Sequence, residues 1–152
     1  MIYLDGKTLT VADAVSVARG GEKVAIAPEA FAPIDRARDY VEKKLDENAV
    51  VYGLTTGFGK FSDKYISRED TAALQRNLII SHACAMGEPL PADAVRAVML
   101  LRANALCRGN SGIRRTTLQT LIDMLNAGVH PVIPEKGSLG ASGDLAPLAH
   151  MV

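Results

Sequence analysis

The chain has 152 residues, of which 48% are apolar, 22% charged and 5% aromatic. This length and composition are enough for one globular domain with an apolar core, and they exclude a disordered or fibrous chain. Lys plus Arg and Asp plus Glu number 17 each, so the formal net charge is zero. No long-range electrostatic field therefore draws this chain to nucleic acid or to an anionic membrane.

The first part of the chain predicts two helices joined by a short strand. Thr10 and Asp13 have the spacing of a capping box, and apolar residues then repeat at helical intervals. Residues 23–27 alternate weakly, as a short strand does. A longer helix follows, with an apolar stripe over 31–45. Because proline disrupts a helix interior, Pro33 predicts that this helix either starts near it or bends there.

The middle of the chain predicts a strand, a loop and another helix. Ala49 to Leu54 has the composition of a short β-type run. The following residues, 55–60, include two glycines in three positions, which indicates a tightly turned or mobile loop. Ser67 then opens a helix that we expect to continue to Gly87.

The last third predicts two more helices, one from Pro91 to Gly109 and one from about Arg114 to Gly128. Residues 129–134 are extended and bounded by prolines. The whole chain, 1–152, is thus predicted to be one mainly helical domain with a few short strands, cut off at its C-terminal end.

The position of this chain in the cell is predicted from what its sequence lacks. Two cysteines are too few for a disulfide scaffold, and the first residues do not have the pattern of a secretion signal. The longest nearly uncharged stretch, Leu78 to Gly87, is shorter than the roughly 20 apolar residues that cross a bilayer. We expect a cytoplasmic protein without a membrane anchor.

Several common functional motifs fail on inspection. A phosphate-binding loop that starts at Gly53 would need Ser or Thr where Phe61 stands, and a dinucleotide fingerprint would need glycine in place of Ser62. An esterase elbow would need glycine in place of Asp144. The histidines and cysteines do not have the spacing of a zinc site, so we expect no metal.

A glycine-rich loop near the end of the chain contains the tripeptide Ala141-Ser142-Gly143. When such a tripeptide is compressed, the Gly143 amide nitrogen can attack the Ala141 carbonyl carbon. Loss of the Ser142 hydroxyl then leaves an exocyclic methylene, which is an electrophile. Gly143 has no side chain to hinder the attack, and Asp144 can accept a proton beside it. The alternative is an ordinary turn in which Asp144 caps a helix, since a given tripeptide occurs by chance in about one such chain in twenty.

The longer segment Gly140 to His150, GASGDLAPLAH, resembles the signature of the aromatic amino-acid ammonia-lyases. Members of this family form a methylidene-imidazolone ring from the Ala-Ser-Gly tripeptide. Val51 to Gly59, VYGLTTGFG, resembles the mobile tyrosine loop of the family, and Leu74 to Ala83, LQRNLIISHA, resembles its pocket helix. The resemblance implies that the ring forms autocatalytically from Ala141, Ser142 and Gly143, with the help of Asp144 and without a metal or dissociable cofactor.

The resemblance also implies three residues that act on the substrate. Tyr52 is expected to remove the β-proton, whereas an aromatic residue at this place is otherwise explained by packing on the core. His82 is expected to face the side chain of the substrate. Because it shares a helix face with Leu78 and Ile79, its alternative role is that of a buried core histidine. Gly59 is expected to contact the substrate from the loop.

Fold and assembly follow from the same resemblance. It implies the mainly α fold of the fumarase- and aspartase-like superfamily, in which residues 1–152 would be the N-terminal domain that carries the prosthetic group. Family members are longer homotetramers, and their sites include residues that would lie beyond Val152. We therefore expect little or no lyase activity from this chain alone, an amino acid as substrate, and neither nucleic acid nor membrane as a partner.

The choice of amino acid depends on a few positions. Ser81-His82 and Gly137 to Gly140 are most similar to the family members that convert histidine to urocanate. Thr55 is shared instead with tyrosine and phenylalanine lyases, so one of these, or an aminomutase, is the nearest alternative. An alternative of another class is an inert helical assembly module, which would have no reason to form the ring.

Overall fold

The computed structural model describes residues 1–58, 62 and 66–152. Six helices and four short strands lie in these residues, so the predicted mainly helical fold is confirmed. The helices are α1 (Val11–Gly20), α2 (Pro28–Asp46), α3 (Arg68–His82), α4 (Ala92–Cys107), α5 (Arg115–Ala127) and α6 (Leu145–Ala149). The strands are β1 (Ile2–Leu4), β2 (Val24–Ile26), β3 (Met86–Pro89) and β4 (Pro134–Lys136).

Backbone contacts group the chain into two compact units. The first unit consists of Met1–Val41 and Leu90–Pro131, and the second unit consists of Glu42–Pro89 and Val132–Val152. The single domain over 1–152 stays a prediction. No helix among the described residues has the length and apolar run that crossing a membrane requires.

The first unit is built around an apolar core that its helices and its two-stranded parallel sheet share. β1 pairs with β2, with Ile2 opposite Val24. Fully buried side chains come from both strands and from the apolar stripes of four helices. The largest of these are Leu4, Val17, Val24, Ile34, Val95, Met99, Leu100, Leu118, Ile122 and Leu125. Full burial of one such side chain stabilises the fold by about 1.5–3 kcal/mol, so this set supplies the main stabilisation of the unit.

The structure tests two local predictions in the first unit: the capping box at the start of α1 and the effect of Pro33 on α2. Thr10 Oγ1 accepts a hydrogen bond from the Asp13 amide at 3.1 Å, and the Asp13 carboxylate accepts one from the Thr10 amide at 3.0 Å. The predicted capping box is therefore confirmed. α2 begins at Pro28, where a proline fits the first turn, and continues through Pro33.

One arginine of α4 caps the ends of two other helices. Arg96 donates hydrogen bonds to the carbonyls of Val17 and Ala18 in α1, at 2.8 to 3.2 Å, and to the carbonyl of Leu125 in α5 at 3.1 Å. Carbonyls in a last helical turn lack partners within the helix, and a cation there is favoured by the helix dipole. His130 Nε2, at 3.2 Å, accepts a further bond from the same guanidinium. Arg96 thus fixes α1 and α5 against α4.

The second unit contains α3, α6 and the antiparallel pair of β3 and β4, with Met86 opposite Lys136 and Pro89 opposite Pro134. Among its described residues, the buried ones are Thr55, Thr56, Gly57, Ile133 and Ala146. The unit therefore has a small interior, and two of these five buried residues are threonines.

The prediction of a β-type run from Ala49 to Leu54 is wrong. The Val51 carbonyl accepts hydrogen bonds from the amides of both Leu54 and Thr55, each at 3.0 Å, so these residues form a turn. Gly53 has a φ of 72°, a left-handed conformation that ends an extended run and suits glycine. The β-branched residues of this segment made it resemble a strand in composition, but the left-handed conformation of Gly53 makes it a turn.

The predicted end of the third helix is also wrong, because α3 ends at His82 and not at Gly87. The Cys84 amide already bonds to the His82 carbonyl at 2.8 Å, outside the helical pattern. The Ala85 amide donates to His150 at 3.1 Å, and Met86–Pro89 pair with β4. Partners distant in sequence therefore take the backbone groups that would have continued the helix.

Candidate active site

A cavity of about 530 Å³ in the second unit brings together two of the residues predicted to act on the substrate. Tyr52 and His82 both line it, although they are far apart in sequence. The remaining lining residues are Phe58, Leu78, Ile79, Leu145, Leu148, Ala149 and Val152. The walls are thus mainly apolar with two polar side chains among them, as is usual for a small-molecule site.

Tyr52 is held by the turn that replaces the predicted strand. Its ring makes an edge-to-face contact with Phe58, with 5.8 Å between ring centroids, and its side chain is 64% exposed. Residue 53 must be small here, because a Cβ on Gly53 would lie 3.0 Å from the Phe58 ring. Packing on a core does not explain this tyrosine, since its ring is largely exposed beside the cavity.

Two threonines build this turn, a role that the sequence analysis did not assign to either of them. Thr55 Oγ1 accepts a hydrogen bond from the Val51 amide at 2.8 Å and lies 2.6 Å from the Ala49 carbonyl, to which it donates. Thr56 Oγ1 accepts from the Gly53 amide at 3.2 Å, and both threonines are at most 4% exposed. Threonine hydroxyls after a glycine are a known turn signal, so the pattern could have been found.

His82 ends α3, and its imidazole is oriented by the helix itself. Nδ1 lies 2.8 Å from the Leu78 carbonyl, which can only accept, so Nδ1 carries the hydrogen. Ser81 Oγ donates to the same carbonyl at 2.8 Å. In the neutral ring the free acceptor is therefore Nε2. His82 is half-buried and lines the cavity, so the geometry combines a helix-bound nitrogen with a second nitrogen that a ligand can use.

Ala141 and Ser142 lie in a turn, and Gly143 is followed by Asp144 and then by α6, whose first residue, Leu145, lines the cavity. Ala141 and Ser142 are exposed, and Gly143 has a φ of 73°. A Cβ on Gly143 would lie 2.5 Å from Ser138 Oγ, closer than real Cβ atoms approach. The residues present therefore fit the imidazolone ring of the family, because a tight turn and a glycine at its third position are what cyclisation needs.

Asp144 occupies the N-cap position of α6, but it does not act as an ordinary cap. Its backbone is helical, with φ −98° and ψ −12°, and its side chain makes no capping hydrogen bond. N-cap residues normally have an extended backbone and accept a bond from the first turn. Asp144 is therefore the N-cap residue by position, as the sequence indicates, but its side chain does not provide the capping hydrogen bond, and it is exposed next to the tripeptide in the chain.

His150 and Ala85, which the sequence did not mark as a pair, hold the ends of the glycine-rich loop. The Ala85 amide donates a hydrogen bond to His150 Nε2 at 3.1 Å. A Cβ on Gly137 would lie 2.5 Å from the Ala85 Cβ and 3.3 Å from the Ala146 Cβ. These close approaches fix where the loop leaves β4 and where it enters α6.

Gly59, the third residue predicted to contact substrate, lies outside the described residues. Within the described ranges, no three His, Cys, Asp or Glu side chains gather closely enough to hold a metal ion.

The fold, the cavity and the tripeptide that precedes α6 in the chain point to one class of protein, although Ala141, Ser142 and Gly143 are not among the residues that line the cavity. Residues 9–152 match the family model for aromatic amino acid lyase, and the chain belongs to this family. The resemblance inferred from three sequence segments is therefore confirmed.

Among relatives, the histidine ammonia-lyase of Caldanaerobacter subterraneus subsp. tengcongensis is 60% identical over 151 residues, which are 99% of this chain and 30% of that protein. The solved histidine ammonia-lyase of Trypanosoma cruzi is 39% identical with a TM-score of 0.87, over 99% of this chain and 28% of that one. The ergothionase of Treponema denticola is 36% identical with a TM-score of 0.92, over 98% and 30% respectively. The chain spans about 30% of the length of the curated relatives that it matches.

Proposed function

We propose that this chain belongs to a histidine ammonia-lyase and carries its electrophilic ring, so that the whole protein converts L-histidine to trans-urocanate and ammonia. The observation that carries the proposal is that Tyr52 and His82 line one cavity with residues of α6, the helix that begins two residues after Gly143 of the Ala-Ser-Gly tripeptide. The identity of 60% with a histidine ammonia-lyase supports this substrate over others in the family.

The ring forms from backbone atoms of the chain itself, with the loss of two water molecules. The Gly143 nitrogen bonds to the Ala141 carbonyl carbon, and that carbonyl oxygen leaves as water with the amide hydrogens of Ser142 and Gly143. The Ser142 hydroxyl leaves as the second water with the hydrogen of its own Cα, which gives the methylidene group. We assign to Asp144, which is exposed and follows Gly143 in the chain, the role of accepting one of these protons in transit.

The ring supplies an electron-poor carbon that assists departure of the substrate amine, which is otherwise a poor leaving group. The chain provides the other functions. Tyr52 takes the β-proton of the substrate as general base. His82 Nε2 accepts a hydrogen bond from the imidazole N–H of histidine, because Nδ1 is held by Leu78. Phe58 and the aliphatic wall of the cavity exclude water from the reacting atoms.

Thr55 does not argue for tyrosine or phenylalanine as the substrate. It is 4% exposed, and its hydroxyl is engaged by the backbone of its own turn. Its identity is therefore set by the turn and not by contact with a substrate.

The whole protein is proposed to be a cytoplasmic homotetramer whose remaining site residues lie outside this chain. The family relationship and the coverage of about 30% of the relatives' length support this arrangement. We accordingly expect little or no turnover by residues 1–152 alone.

The experiment is a mass measurement on the whole purified protein, followed by assays with three amino acids. The peptide that contains Ala141 to Gly143 is expected to be lighter by two waters, and the Ser142→Ala variant is the control that cannot form the methylidene group. Urocanate formation from histidine at a kcat/KM well above the values for tyrosine and phenylalanine supports the substrate. An unmodified peptide in the whole protein would overturn the lyase proposal and favour an inert assembly module.

A further inference from the structure

Two close contacts join the two sides of the glycine-rich loop. At its base, Gly137 packs so closely on Ala146 that an added Cβ would lie 3.3 Å from the Ala146 Cβ. Further into the loop, one residue after Gly137 and three residues before Ala146, Ser138 meets Gly143, the residue that provides the cyclising nitrogen. The loop therefore has a fixed base, and the Ser138 side chain contacts the reacting tripeptide at Gly143.

The contact between Ser138 and Gly143 is specific to the hydroxyl group. A Cβ built on Gly143 would lie 2.5 Å from Ser138 Oγ, but 3.8 Å from Ser138 Cβ. The hydroxyl oxygen thus fills the space that a side chain at 143 would take, and the Ser138 Cβ is at ordinary contact distance. Removal of the oxygen alone would leave open space beside the Gly143 Cα.

Glycine needs such support because it adopts left-handed and right-handed conformations about equally well. Gly143 has a φ of 73°, and its backbone orientation decides where its nitrogen points. Attack on the Ala141 carbonyl requires the Gly143 nitrogen to be held close to the carbonyl carbon, with its lone pair directed at that carbon. A neighbour that packs against the Gly143 Cα reduces the number of alternatives to the conformation in the structure.

We propose that Ser138 is a positioning residue for ring formation, whose hydroxyl holds Gly143 in the conformation from which its nitrogen attacks. This inference rests on the proposed function, because it assigns Ser138 a part in making the ring. Ser138 forms and breaks no bond in the reaction, and after cyclisation the covalent ring holds Gly143 without it. The hydroxyl is therefore needed for the rate of ring formation and not for turnover by the finished enzyme.

The test compares three variants of the whole protein with the unchanged protein. Ser138→Ala removes the hydroxyl, Ser138→Thr keeps it, and Leu139→Ala is the matched control, because Leu139 is the next residue of the loop and is 88% exposed. The loss of two waters from the 141–143 peptide is followed by mass spectrometry over time after synthesis. Thermal unfolding and kcat per ring-bearing molecule are measured on the same samples.

Ser138→Ala is expected to slow ring formation by about 10- to 100-fold, the usual cost of misplacing a reacting group by about 1 Å. Ser138→Thr and Leu139→Ala are expected to form the ring at the rate of the unchanged protein. Because Ser138 is exposed, its replacement should change the unfolding temperature little. The kcat per ring-bearing molecule is expected to be equal in all four proteins.

Two results would overturn the inference. One is ring formation by a folded Ser138→Ala variant at the unchanged rate, and the other is failure of a folded Ser138→Thr variant to restore that rate. Either result leaves the proposed function intact as long as the unchanged protein carries the ring. Absence of the ring from the unchanged protein would instead contradict the proposed function itself.

Discussion

The two units differ in what they bury. The first unit buries a set of apolar side chains from β1, β2 and four helices, and its half-buried Arg96 donates hydrogen bonds to the ends of two helices. The second unit buries two threonines, one glycine and two apolar residues among those described, and it leaves Tyr52, Ile80, Leu139 and Leu145 exposed. The first has the composition of a self-sufficient scaffold, and the second has that of a site.

The difference teaches where stability and chemistry are located in this chain. Burial of apolar surface stabilises the first unit, so substitutions there should change the free energy of unfolding. The second unit is held by turns, close glycine contacts and single hydrogen bonds, which determine geometry more than stability. Substitutions there should change chemistry at nearly constant stability, and the following experiments test that separation.

The largest expected effect is on chemistry in the second unit. Ser142→Ala in the whole protein should lower kcat by about a thousandfold or more, because the electrophile cannot form without the leaving hydroxyl. Since Ser142 is exposed, the unfolding temperature should stay within about 1–2 °C. Steady-state kinetics and calorimetry check both parts. Substantial residual kcat would contradict the assigned role of Ser142.

The next effect is on stability in the first unit. Leu118→Ala should reduce the free energy of unfolding by about 2–5 kcal/mol, since Leu118 is fully buried and its truncation leaves a cavity. Leu101→Ala, in the exposed part of α4, is the matched control and should cost well under half as much. Urea denaturation provides both values. Equal losses from the two variants would show that burial does not separate these leucines.

The two cysteines lie in different units, so their rates of reaction with a thiol reagent compare the solvent exposure of the two units. Cys84 in the second unit is exposed, whereas Cys107 is buried in the first unit, and burial, with the nearby Asp5 charge, raises its pKa to about 11. Because the thiolate is the reactive form, a thiol reagent at neutral pH should label Cys84 at least about a hundredfold faster than Cys107. Peptide mass spectrometry measures the two rates. Comparable labelling would mean that the first unit opens readily.

A smaller effect is expected on substrate choice. His82→Leu should lower kcat/KM for histidine by about 10- to 100-fold, because the hydrogen bond from Nε2 to the substrate ring is lost. The loss for phenylalanine, whose ring has no N–H group, should be much smaller. His82→Gln, which retains an acceptor, is the matched variant. Equal losses with both substrates would assign His82 a packing role.

The smallest effect is expected at the helix cap of α1. Thr10→Ala removes the acceptor of the Asp13 amide hydrogen bond and should cost about 1 kcal/mol of stability, with no change in turnover. Thr120→Ala, on the exposed face of α5, is the control and should cost less than half of that value. Chemical denaturation compares them. A loss of turnover in Thr10→Ala at normal stability would contradict the assignment of stability to the first unit and of chemistry to the second unit.

Much of the first unit could be predicted because its signals are local. The capping box at Thr10 and the glycine stop at Gly128 both involve groups within one helical turn, and both are found in the structure. α4 and α5 likewise have the predicted bounds to within a residue or two, since each has a regular apolar stripe. Local hydrogen bonds and helical periodicity therefore gave correct elements wherever no distant partner interfered.

In the second unit the local signals were overridden. The left-handed conformation of Gly53 produces a turn where the composition predicted a strand. The pairing of Met86–Pro89 with β4 ends α3 earlier than its apolar pattern indicated. The hydrogen bond from Ala85 to His150 joins residues 65 positions apart, and no pattern in either segment announces it. Long-range partners are invisible to a local analysis because their energy depends on where the rest of the chain has folded.

The sequence by itself determined the family relationship, carried by three ordered segments, and the candidate groups: the Ala-Ser-Gly tripeptide proposed to cyclise and a candidate base at Tyr52. It also determined the helical class, because apolar periodicity is a property of neighbouring residues. Only the tertiary structure decided that Tyr52 and His82 line one cavity and that Ser138 packs on Gly143. The reason is physical, since a close approach between distant residues is fixed by the packing of the whole unit and is not encoded in either residue alone.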